Sequence, residues 1–165
     1  YIPALGLADG SSLFESAAIV TFLTASHPEK GLAPAPGTAE QGLYLAWLAF
    51  MSANLYPAIN LVFHGEAYAA DAAARAYLTA AATAESQRLF GILEARLRAE
   101  GPWLLGERFT AADIYLFMLT LWAKPSEADL LTRCPAIAAH AAAVRGRPRL
   151  RAALEAHGVV TPAAS

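Results

Sequence analysis

The chain opens with two short apolar runs, and the spacing of its hydrophobic residues then changes to that of a helix. The runs IPALGL and SSLF are joined through Asp9-Gly10, a dipeptide that favours a tight turn between antiparallel strands. Ser16 stands at a position typical of an N-cap, and apolar residues follow it at helical intervals. The pattern predicts a β-hairpin and one helix that ends near Ser26, because the next residue precedes Pro28.

The stretch PEKGLAPAPG has no periodicity and predicts a linker over 28–38. After the linker, the hydrophobic spacing is helical. We expect a long helix over 39–63 that bends at Pro57, where a backbone donor is lost, and a second helix over 71–100 that ends before Gly101-Pro102. Further helices are expected to begin at Thr110, after Pro135 and after Pro148.

The helix expected at Thr110, within FTAADIYLFMLTLW, has the clearest local signature. Thr110 can cap its first turn, and Asp113 can accept a hydrogen bond from the Thr110 amide in return. Phe109 and Ile114 flank the cap as a hydrophobic staple requires. With Tyr115 on its second apolar side, the helix is hydrophobic all round, which predicts a central position in a domain. We therefore assign Thr110 and Asp113 a structural role, not a catalytic one.

Composition narrows the class of protein. The 165 residues are 56% hydrophobic and 16% charged, with a formal net charge of −2, and the scattered Lys and Arg residues argue against nucleic-acid binding. The single Cys and the absence of a signal-peptide pattern favour a reducing cytoplasm. Residues 41–65 carry no formal charge, so a membrane helix is an alternative there. Polar Gln, Ser, Asn and His residues within that stretch favour the buried helix of a soluble domain.

The residues that commonly bind metals or act as nucleophiles are few. The four His residues have no metal-ligand spacing, so we predict no metal site. Cys134 precedes Pro135 at a predicted helix start, where an N-terminus can lower the pKa of a thiol. Because the sequence shows no His paired with it, we interpret Cys134 as a structural residue.

Two features of the opening stretch bear on ligand binding. A cis Ile2-Pro3 bond would turn the backbone N–H and C=O of Ile2 off the sheet, where an extended peptide can pair with them. An ordinary edge-strand proline is the alternative. Ser16 begins a helix whose first amides are unpaired, which favours an anion there, with Glu15 beside it. The alternative is that Ser16 is only a cap and Glu15 a solvated acid favoured by the helix dipole.

Taken together, IPAL, the Asp-Gly hairpin, ESAAI, the Pro-rich linker and GERFTAADIYL resemble a cytosolic glutathione S-transferase. The tail CPAIAAHAAAVRGRPRLRAALEAHGV is similar to the C-terminal helices of that family, and the overall pattern is similar to bacterial members, including the beta class. The resemblance implies an α+β fold. Residues 1–27 would be the remainder of a thioredoxin-like glutathione-binding domain, 28–38 a linker, and 39–165 an all-helical domain.

The resemblance also implies roles for named residues. Ile2, with Pro3, would pair with the cysteinyl part of glutathione, while Ser16 would hold the γ-glutamyl carboxylate and Glu15 would lie near the ammonium. The implied enzyme lowers the pKa of the glutathione thiol so that the thiolate attacks a small hydrophobic electrophile. Glutathione is then a co-substrate, no metal is needed, and the protein is a cytoplasmic homodimer that binds neither nucleic acid nor membrane.

One part of the family fold has no counterpart in this sequence. The family begins with a βαβ unit of roughly 30 or more residues ahead of the hairpin. Its activating Tyr, Ser or Cys, near the end of the first strand, is expected upstream of Tyr1. We therefore predict that the chain is the remainder of a longer polypeptide, that it is inactive alone, and that its catalytic residue is not among the 165.

The first long helix departs from the beta-class pattern. Ala49 stands where that class has an Asn, and Tyr56 and Pro57 stand where it has a His and a Lys. We expect Tyr56 to line the electrophile pocket, with a packed core Tyr as the alternative. Asn54, near the same turn, is expected to face the pocket or a partner subunit. The changes leave a second function open, a non-catalytic scaffold or regulatory module that uses the helical domain as an interaction surface.

Overall fold

The protein consists of a short β-hairpin followed by eight α-helices over the part of the chain that the computed structural model describes, residues 3–159. This small sheet with a mostly helical body confirms the α+β class expected from the sequence. The elements, in chain order, are β1 (Ala4–Gly6), β2 (Ser12–Phe14), α1 (Ser16–Ser26), α2 (Ala39–Phe50), α3 (Tyr56–His64), α4 (Ala72–Glu100), α5 (Ala111–Thr120), α6 (Glu127–Arg133), α7 (Pro135–Arg145) and α8 (Pro148–Ala156).

The predicted hairpin turn is present between β1 and β2. The Asp9 Oδ1 atom accepts hydrogen bonds from the backbone N–H and the hydroxyl of Ser11, at 2.9 and 2.6 Å. Gly10 has a φ of 86°, a left-handed conformation that glycine adopts without a steric penalty. The two strands pair antiparallel, and α1 follows directly and packs on them.

The long helix expected over 39–63 is interrupted one turn earlier than predicted. A π-helical segment at Met51–Leu55 separates α2 from α3, and within it the Tyr56 N–H bonds to the Met51 carbonyl. Pro57 lies in the first turn of α3, where a missing backbone donor is tolerated. The extra residue of a π segment changes which side chains face the core, and such segments are frequent at functional sites. The interruption therefore extends beyond the proline, because the π-helical segment lies before Pro57.

Residues 39–67 form the single helical stretch, within the described chain, that is long and apolar enough to cross a membrane by length and composition. Core helices of soluble proteins meet the same criterion. One side of the stretch enters the main core through Tyr44, Leu48 and Leu55, which are buried. Only 22% of its most apolar window is buried, however, so much of its hydrophobic surface is open. That open surface borders the two clefts described below.

Helix α5 lies in the centre of the helical body, as its sequence predicts. The structure buries most of its residues, including Tyr115, Leu116 and Leu119, and α5 packs against α2 and α7 in the core cluster that α4 also enters. Phe117 points into a second cluster with Val144 of α7. Because α5 is packed on all sides, small movements of its side chains are strongly restricted.

The N-terminus of α5 is closed by a buried hydrogen-bond network around Asp113. Its carboxylate accepts from the Thr110 backbone N–H at 2.8 Å and from the Thr110 hydroxyl at 3.1 Å. Two groups outside α5 complete the network: the Leu104 backbone N–H lies 2.9 Å from the carboxylate, and Nε2 of His140, in α7, lies 3.1 Å from it. The capping geometry expected for Thr110 and Asp113 is present, while Leu104 and His140 were not expected there.

Helix α6 has no counterpart in the sequence prediction. It contains seven residues, and its start is stabilised by Ser126, whose hydroxyl oxygen accepts from the Asp129 N–H at 3.1 Å. Leu130 is its one fully buried side chain. A helix this short contains too few apolar positions to show a helical period, so the pattern gives no signal for it.

Helix α7 begins at Pro135, as predicted, and a carboxylate from α4 caps it. The buried Glu94 side chain accepts from the backbone N–H groups of Ala136 and Ile137 at 3.2 and 2.9 Å. The neighbouring Cys134 is buried, and burial raises the pKa of its thiol, with the charge of Glu94 acting in the same direction. The raised pKa opposes thiolate formation, which agrees with a structural role.

The predicted linker is fastened to the helical body. The Leu32 carbonyl accepts from the Ala111 N–H at 2.8 Å, at the first residue of α5. Arg108 donates to the Ala33 carbonyl at 2.9 Å and pairs with Glu40 of α2 at the same distance. These contacts hold 28–38 against the bundle, although the division into units at 1–27, 28–38 and 39–165 stays a prediction.

Candidate functional site

Helix α1 begins at a strained residue. Glu15 has φ 68° and ψ 113°, and it is the one non-glycine residue with a positive φ among residues 3–159. Such a conformation costs on the order of 1–3 kcal/mol and occurs mainly where function requires it. The Glu15 carbonyl accepts from the Ile19 N–H at 2.9 Å, so the strained residue is also the N-cap. Its own side chain is exposed to solvent.

The position of Ser16 corrects the sequence prediction. Ser16 was expected to be the N-cap, but it is the first residue of the helix, because the strained backbone of Glu15 moves the cap one residue earlier. No side chain within the described residues caps the start of α1. The amides of its first turn therefore form an open, partly positive helix end beside the Ser16 hydroxyl. Such an end is a favourable place for a carboxylate.

The hairpin brings a third predicted residue to this helix end. Ala4 of β1 lies opposite Phe14 of β2, so Pro3 is at the same end of the hairpin as Glu15. Three of the four residues expected to contact glutathione thus occupy one small region. The fourth, Ile2, lies outside the described residues, so its backbone pairing and its peptide isomer stay predictions.

Tyr115 is the neighbour of this helix end that the sequence pattern did not indicate. Its hydroxyl lies 2.8 Å from the Ser16 hydroxyl oxygen, although 99 residues separate the two. Burial raises the pKa of Tyr115, the bond to Ser16 acts against that rise, and the charges of Tyr56 and Glu15 add to it. A signal was available, because a tyrosine on an otherwise apolar buried helix needs a partner for its hydroxyl.

An aromatic cleft lies between α3 and the end of α5. It has a volume of about 230 Å³. The rings of Tyr56 and Trp122 are 6.0 Å apart in a tilted arrangement, and the Lys124 ammonium lies 4.0 Å from the centre of the Phe63 ring. Tyr56 is 40% exposed, so it is not a packed core residue. The lining residues are Tyr56, Ile59, Asn60, Phe63, His64 and Trp122.

Asn54 does not line this cleft, contrary to one of the two alternatives drawn from the sequence. It lies in the π-helical segment, where it is exposed and its side-chain amide donates to the Phe50 carbonyl at 3.3 Å. Asn60, one helical turn after Tyr56, is the asparagine that reaches the cleft.

Helix α5 connects the helix end to the cleft. Its Tyr115 contacts Ser16, and Trp122, which follows the last residue of α5 at Thr120, lines the cleft. The arrangement combines a site for a carboxylate, an exposed carboxylate on Glu15 and an adjoining apolar pocket. It is therefore suited to a zwitterionic peptide whose apolar partner lies beside it. Among residues 3–159, no group of three or more His, Cys, Asp or Glu side chains is arranged as a metal site.

Known proteins are similar to this chain in sequence and in fold. The family described as Glutathione S-transferase, C-terminal domain, matches residues 17–148. The uncharacterized GST-like protein YncG of Escherichia coli K12 is 30% identical over 159 residues, which are 96% of this chain and 75% of that protein. The glutathione S-transferase GstA of Escherichia coli O157:H7 is 29% identical over 158 residues, with coverage of 96% and 74%.

A solved structure extends the similarity to three dimensions. The structure of a sphingomonad glutathione S-transferase complexed with glutathione superposes with a TM-score of 0.81 at 31% identity. The superposition covers 97% of this chain and 75% of that one. With the family match over most of the chain, the conclusion is direct: this chain belongs to the glutathione S-transferase family, and the resemblance noted in its motifs is confirmed.

Proposed function

We propose that the protein is a glutathione transferase whose glutathione site lies at the open N-terminus of α1. The observation that carries the proposal is that end itself, with Glu15 strained, no side-chain cap and the Ser16 hydroxyl beside the unpaired amides. The γ-glutamyl carboxylate would accept from the Ser16 hydroxyl and from the first amides of the helix. Its ammonium would lie beside the Glu15 carboxylate. Ile2 and Pro3 would hold the cysteinyl part by backbone pairing.

The electrophile would occupy the aromatic cleft. Its three rings favour an apolar or aromatic compound, and its volume of about 230 Å³ suits a small molecule. In the reaction, the glutathione thiol loses its proton, and the thiolate forms a bond to an electrophilic carbon as the leaving group departs. We assign no residue of this chain as the group that lowers the thiol pKa; the chain spans 75% of the length of the relative YncG.

The proposal is tested by glutathione binding and by conjugation to chlorodinitrobenzene, using the complete polypeptide. Ser16→Ala removes a hydrogen bond to a charged group, which contributes about 1.5–3 kcal/mol, so glutathione affinity should fall roughly ten- to hundred-fold. Glu15→Ala should weaken binding less, because that carboxylate is exposed. Ser26→Ala, at the other end of the same helix, is the matched control and should leave binding unchanged.

A different outcome would favour the second function. If the complete protein neither binds glutathione nor conjugates any electrophile in a panel, the enzyme proposal is wrong, and a non-catalytic scaffold built on the same fold is the better description. The replacements at Ala49 and Tyr56 are the observation that favours this alternative. Conjugation that survives Ser16→Ala undiminished would show that glutathione binds somewhere else.

We also propose a cytoplasmic homodimer formed through the groove between α1 and α2. The groove has a volume of about 540 Å³, and exposed Phe22 and Leu45 stand on its two sides. Exposed apolar patches of this kind are typical of protein interfaces. The residues that line the groove are Leu13, Ala17, Ala18, Thr21, Phe22, Leu45, Leu48, Ala49 and Ser52.

Sedimentation of the complete protein tests the dimer. Phe22→Glu places a charge in the groove and should convert a dimer to a monomer. Tyr77→Glu, on α4, is the control, because Tyr77 is 75% exposed and lines none of the described clefts. A monomeric unmutated protein, or a dimer that Phe22→Glu leaves intact, contradicts this interface.

A further inference from the structure

We propose that Tyr115 is a positioning residue for glutathione: its hydroxyl donates to Ser16 and thereby directs the Ser16 proton toward the γ-glutamyl carboxylate. The inference rests on the proposed glutathione site and adds to it a residue from the centre of the helical bundle. It starts from one contact, the 2.8 Å separation of the Ser16 and Tyr115 hydroxyl oxygens.

The Tyr115 hydroxyl is held in place by the packing of its helix. Tyr115 is only 5% exposed and belongs to α5, whose N-terminus is closed by the buried network of Asp113. A side chain on such a helix has little freedom to move away from its partner. Ser16, by contrast, is half-buried in the first turn of a helix that no side chain caps. The rigid member of the pair is therefore Tyr115, and it determines where the Ser16 hydroxyl lies.

A bound carboxylate fixes the direction of the hydrogen bond between Tyr115 and Ser16. Each hydroxyl has one proton to donate and lone pairs to accept with. A carboxylate has no proton, so when it lies at the helix end, Ser16 must donate to it. Ser16 then accepts from Tyr115 through a lone pair. Burial raises the pKa of Tyr115, so its hydroxyl keeps its proton at neutral pH and remains a donor. Two hydrogen bonds in series polarise one another, which strengthens the one to the ligand.

The contact between Tyr115 and Ser16 also supports the strained residue Glu15. Ser16 directly follows Glu15, whose backbone is in the left-handed region. The bond from Tyr115 fixes the residue after the strain and so helps to hold the helix end in an open form before a ligand arrives. Because the group is held in advance, less conformational entropy is lost on binding. The same bond links α1 to the helical bundle.

A matched pair of variants tests the inference on the complete protein. Tyr115→Phe removes only the hydroxyl that contacts Ser16. Tyr44→Phe removes the hydroxyl of another buried tyrosine, which lies 3.3 Å from the Thr24 hydroxyl further along α1. Two ligands are compared by calorimetry: glutathione, and 4-aminobutyryl-cysteinyl-glycine, which lacks only the γ-glutamyl α-carboxylate.

The expected result is selective. Tyr115→Phe should weaken glutathione binding about three- to ten-fold and leave binding of the carboxylate-free analogue unchanged. Tyr44→Phe should change neither. In the Ser16→Ala background, Tyr115→Phe should cause no further loss, because the two hydroxyls act on the ligand as one unit. The Tyr115 hydroxyl proton resonance should also shift downfield on adding glutathione but not on adding the analogue, a readout that needs no substitution.

Other results overturn the inference. If Tyr115→Phe weakens both ligands equally, Tyr115 only stabilises the fold. If Ser16→Ala weakens glutathione binding and Tyr115→Phe does not, the contact is not used, and the proposed glutathione site stands without it. An unmoved hydroxyl resonance in the unmutated protein has the same meaning. If the unmutated protein does not bind glutathione, the proposed function and this inference are both wrong.

Discussion

The N-termini of α5 and α1 meet the same requirement in opposite ways. Each helix begins with backbone amides that no residue of the preceding turn can accept from. At α5, the buried Asp113 carboxylate accepts from the Thr110 N–H and the Leu32 carbonyl accepts from the Ala111 N–H, so the helix end is closed. At α1, the cap residue is the strained Glu15, and no described side chain caps the end.

The difference shows how one physical feature serves stability in one place and binding in another. When the chain supplies its own anion, the helix end becomes part of the core and stabilises it. When no described side chain supplies an anion, the partly positive helix end remains available to a ligand. The strain at Glu15 fits this interpretation, because a helix end that served only stability would gain from an unstrained cap residue. Tyr115 lies in both regions, since it belongs to α5 and contacts Ser16.

The largest expected effect is on the closed helix end. Asp113→Ala should lower the free energy of unfolding by about 3–5 kcal/mol, because it leaves several buried donors without an acceptor. Urea unfolding followed by circular dichroism measures it. Asp71→Ala is the control: Asp71 caps α4 through the Ala74 N–H at 2.8 Å, but it is exposed, so about 1 kcal/mol is expected. Equal losses for the two variants would contradict the special role of the buried cap.

A smaller effect is expected from the distant member of the same network. His140→Leu removes one of the donors to Asp113 and keeps an apolar side chain of similar size against Trp103. The free energy of unfolding should fall by about 1–3 kcal/mol, while glutathione affinity stays unchanged. His157→Leu, at an exposed position, should change stability by less than about 0.5 kcal/mol. A loss of glutathione affinity in the folded His140 variant would contradict the view that the α5 N-terminus serves stability and the α1 N-terminus serves binding.

Substitutions of Glu15, at the open N-terminus of α1, should have different effects on stability and on glutathione binding. Glycine adopts a positive φ without strain, so Glu15→Gly should be more stable than Glu15→Ala by about 1 kcal/mol after the greater entropy of unfolded glycine is included. Both variants should bind glutathione more weakly than the unmutated protein. Thermal unfolding and calorimetry measure the two properties. A Glu15→Ala protein as stable as Glu15→Gly would mean that the Glu15 backbone is not strained in solution.

The smallest effect concerns alkaline pH. Burial raises the pKa of Tyr115 above its ordinary value, so the folded state keeps this proton to a higher pH than the unfolded state does. The resulting stability is complete below about pH 10 and is lost as the pH rises through the folded-state pKa. Urea unfolding should therefore show a smaller loss between about pH 9 and about pH 11 in Tyr115→Phe than in the unmutated protein. Tyr77→Phe, at an exposed residue, should not alter the slope.

Much of the architecture follows from short-range patterns. The Asp9-Gly10 turn, the start of α5 at its Thr110 cap and the start of α7 at Pro135 were all predictable, because each depends on a few neighbouring residues. The π-helical segment and the seven-residue α6 were not predictable. A π segment depends on how two sides of a long helix pack, and a very short helix has too few residues to show a period.

The same distinction between local and tertiary determinants applies to the candidate site. The motifs single out Pro3, Glu15 and Ser16, and the resemblance to the family implies that they contact glutathione, which stays a prediction. The pattern could not place the cap at Glu15, because a positive φ at a glutamate is imposed by its surroundings. It left Asn54 facing either the pocket or a partner subunit, and in the structure Asn60 lines the aromatic cleft while Asn54 does not.

The partners of Ser16 and Asp113 came from far along the chain. Tyr115 lies 99 residues from Ser16, and His140 lies 27 residues from Asp113. A hydroxyl or imidazole on an apolar helix is expected to have a polar partner once it is buried, but the sequence does not indicate which residue that partner is. Caps and turns are determined locally because their hydrogen bonds close within a few residues. The pairing of distant polar groups depends on which helices pack together, and that is why the site's supporting residues emerged from the folded structure.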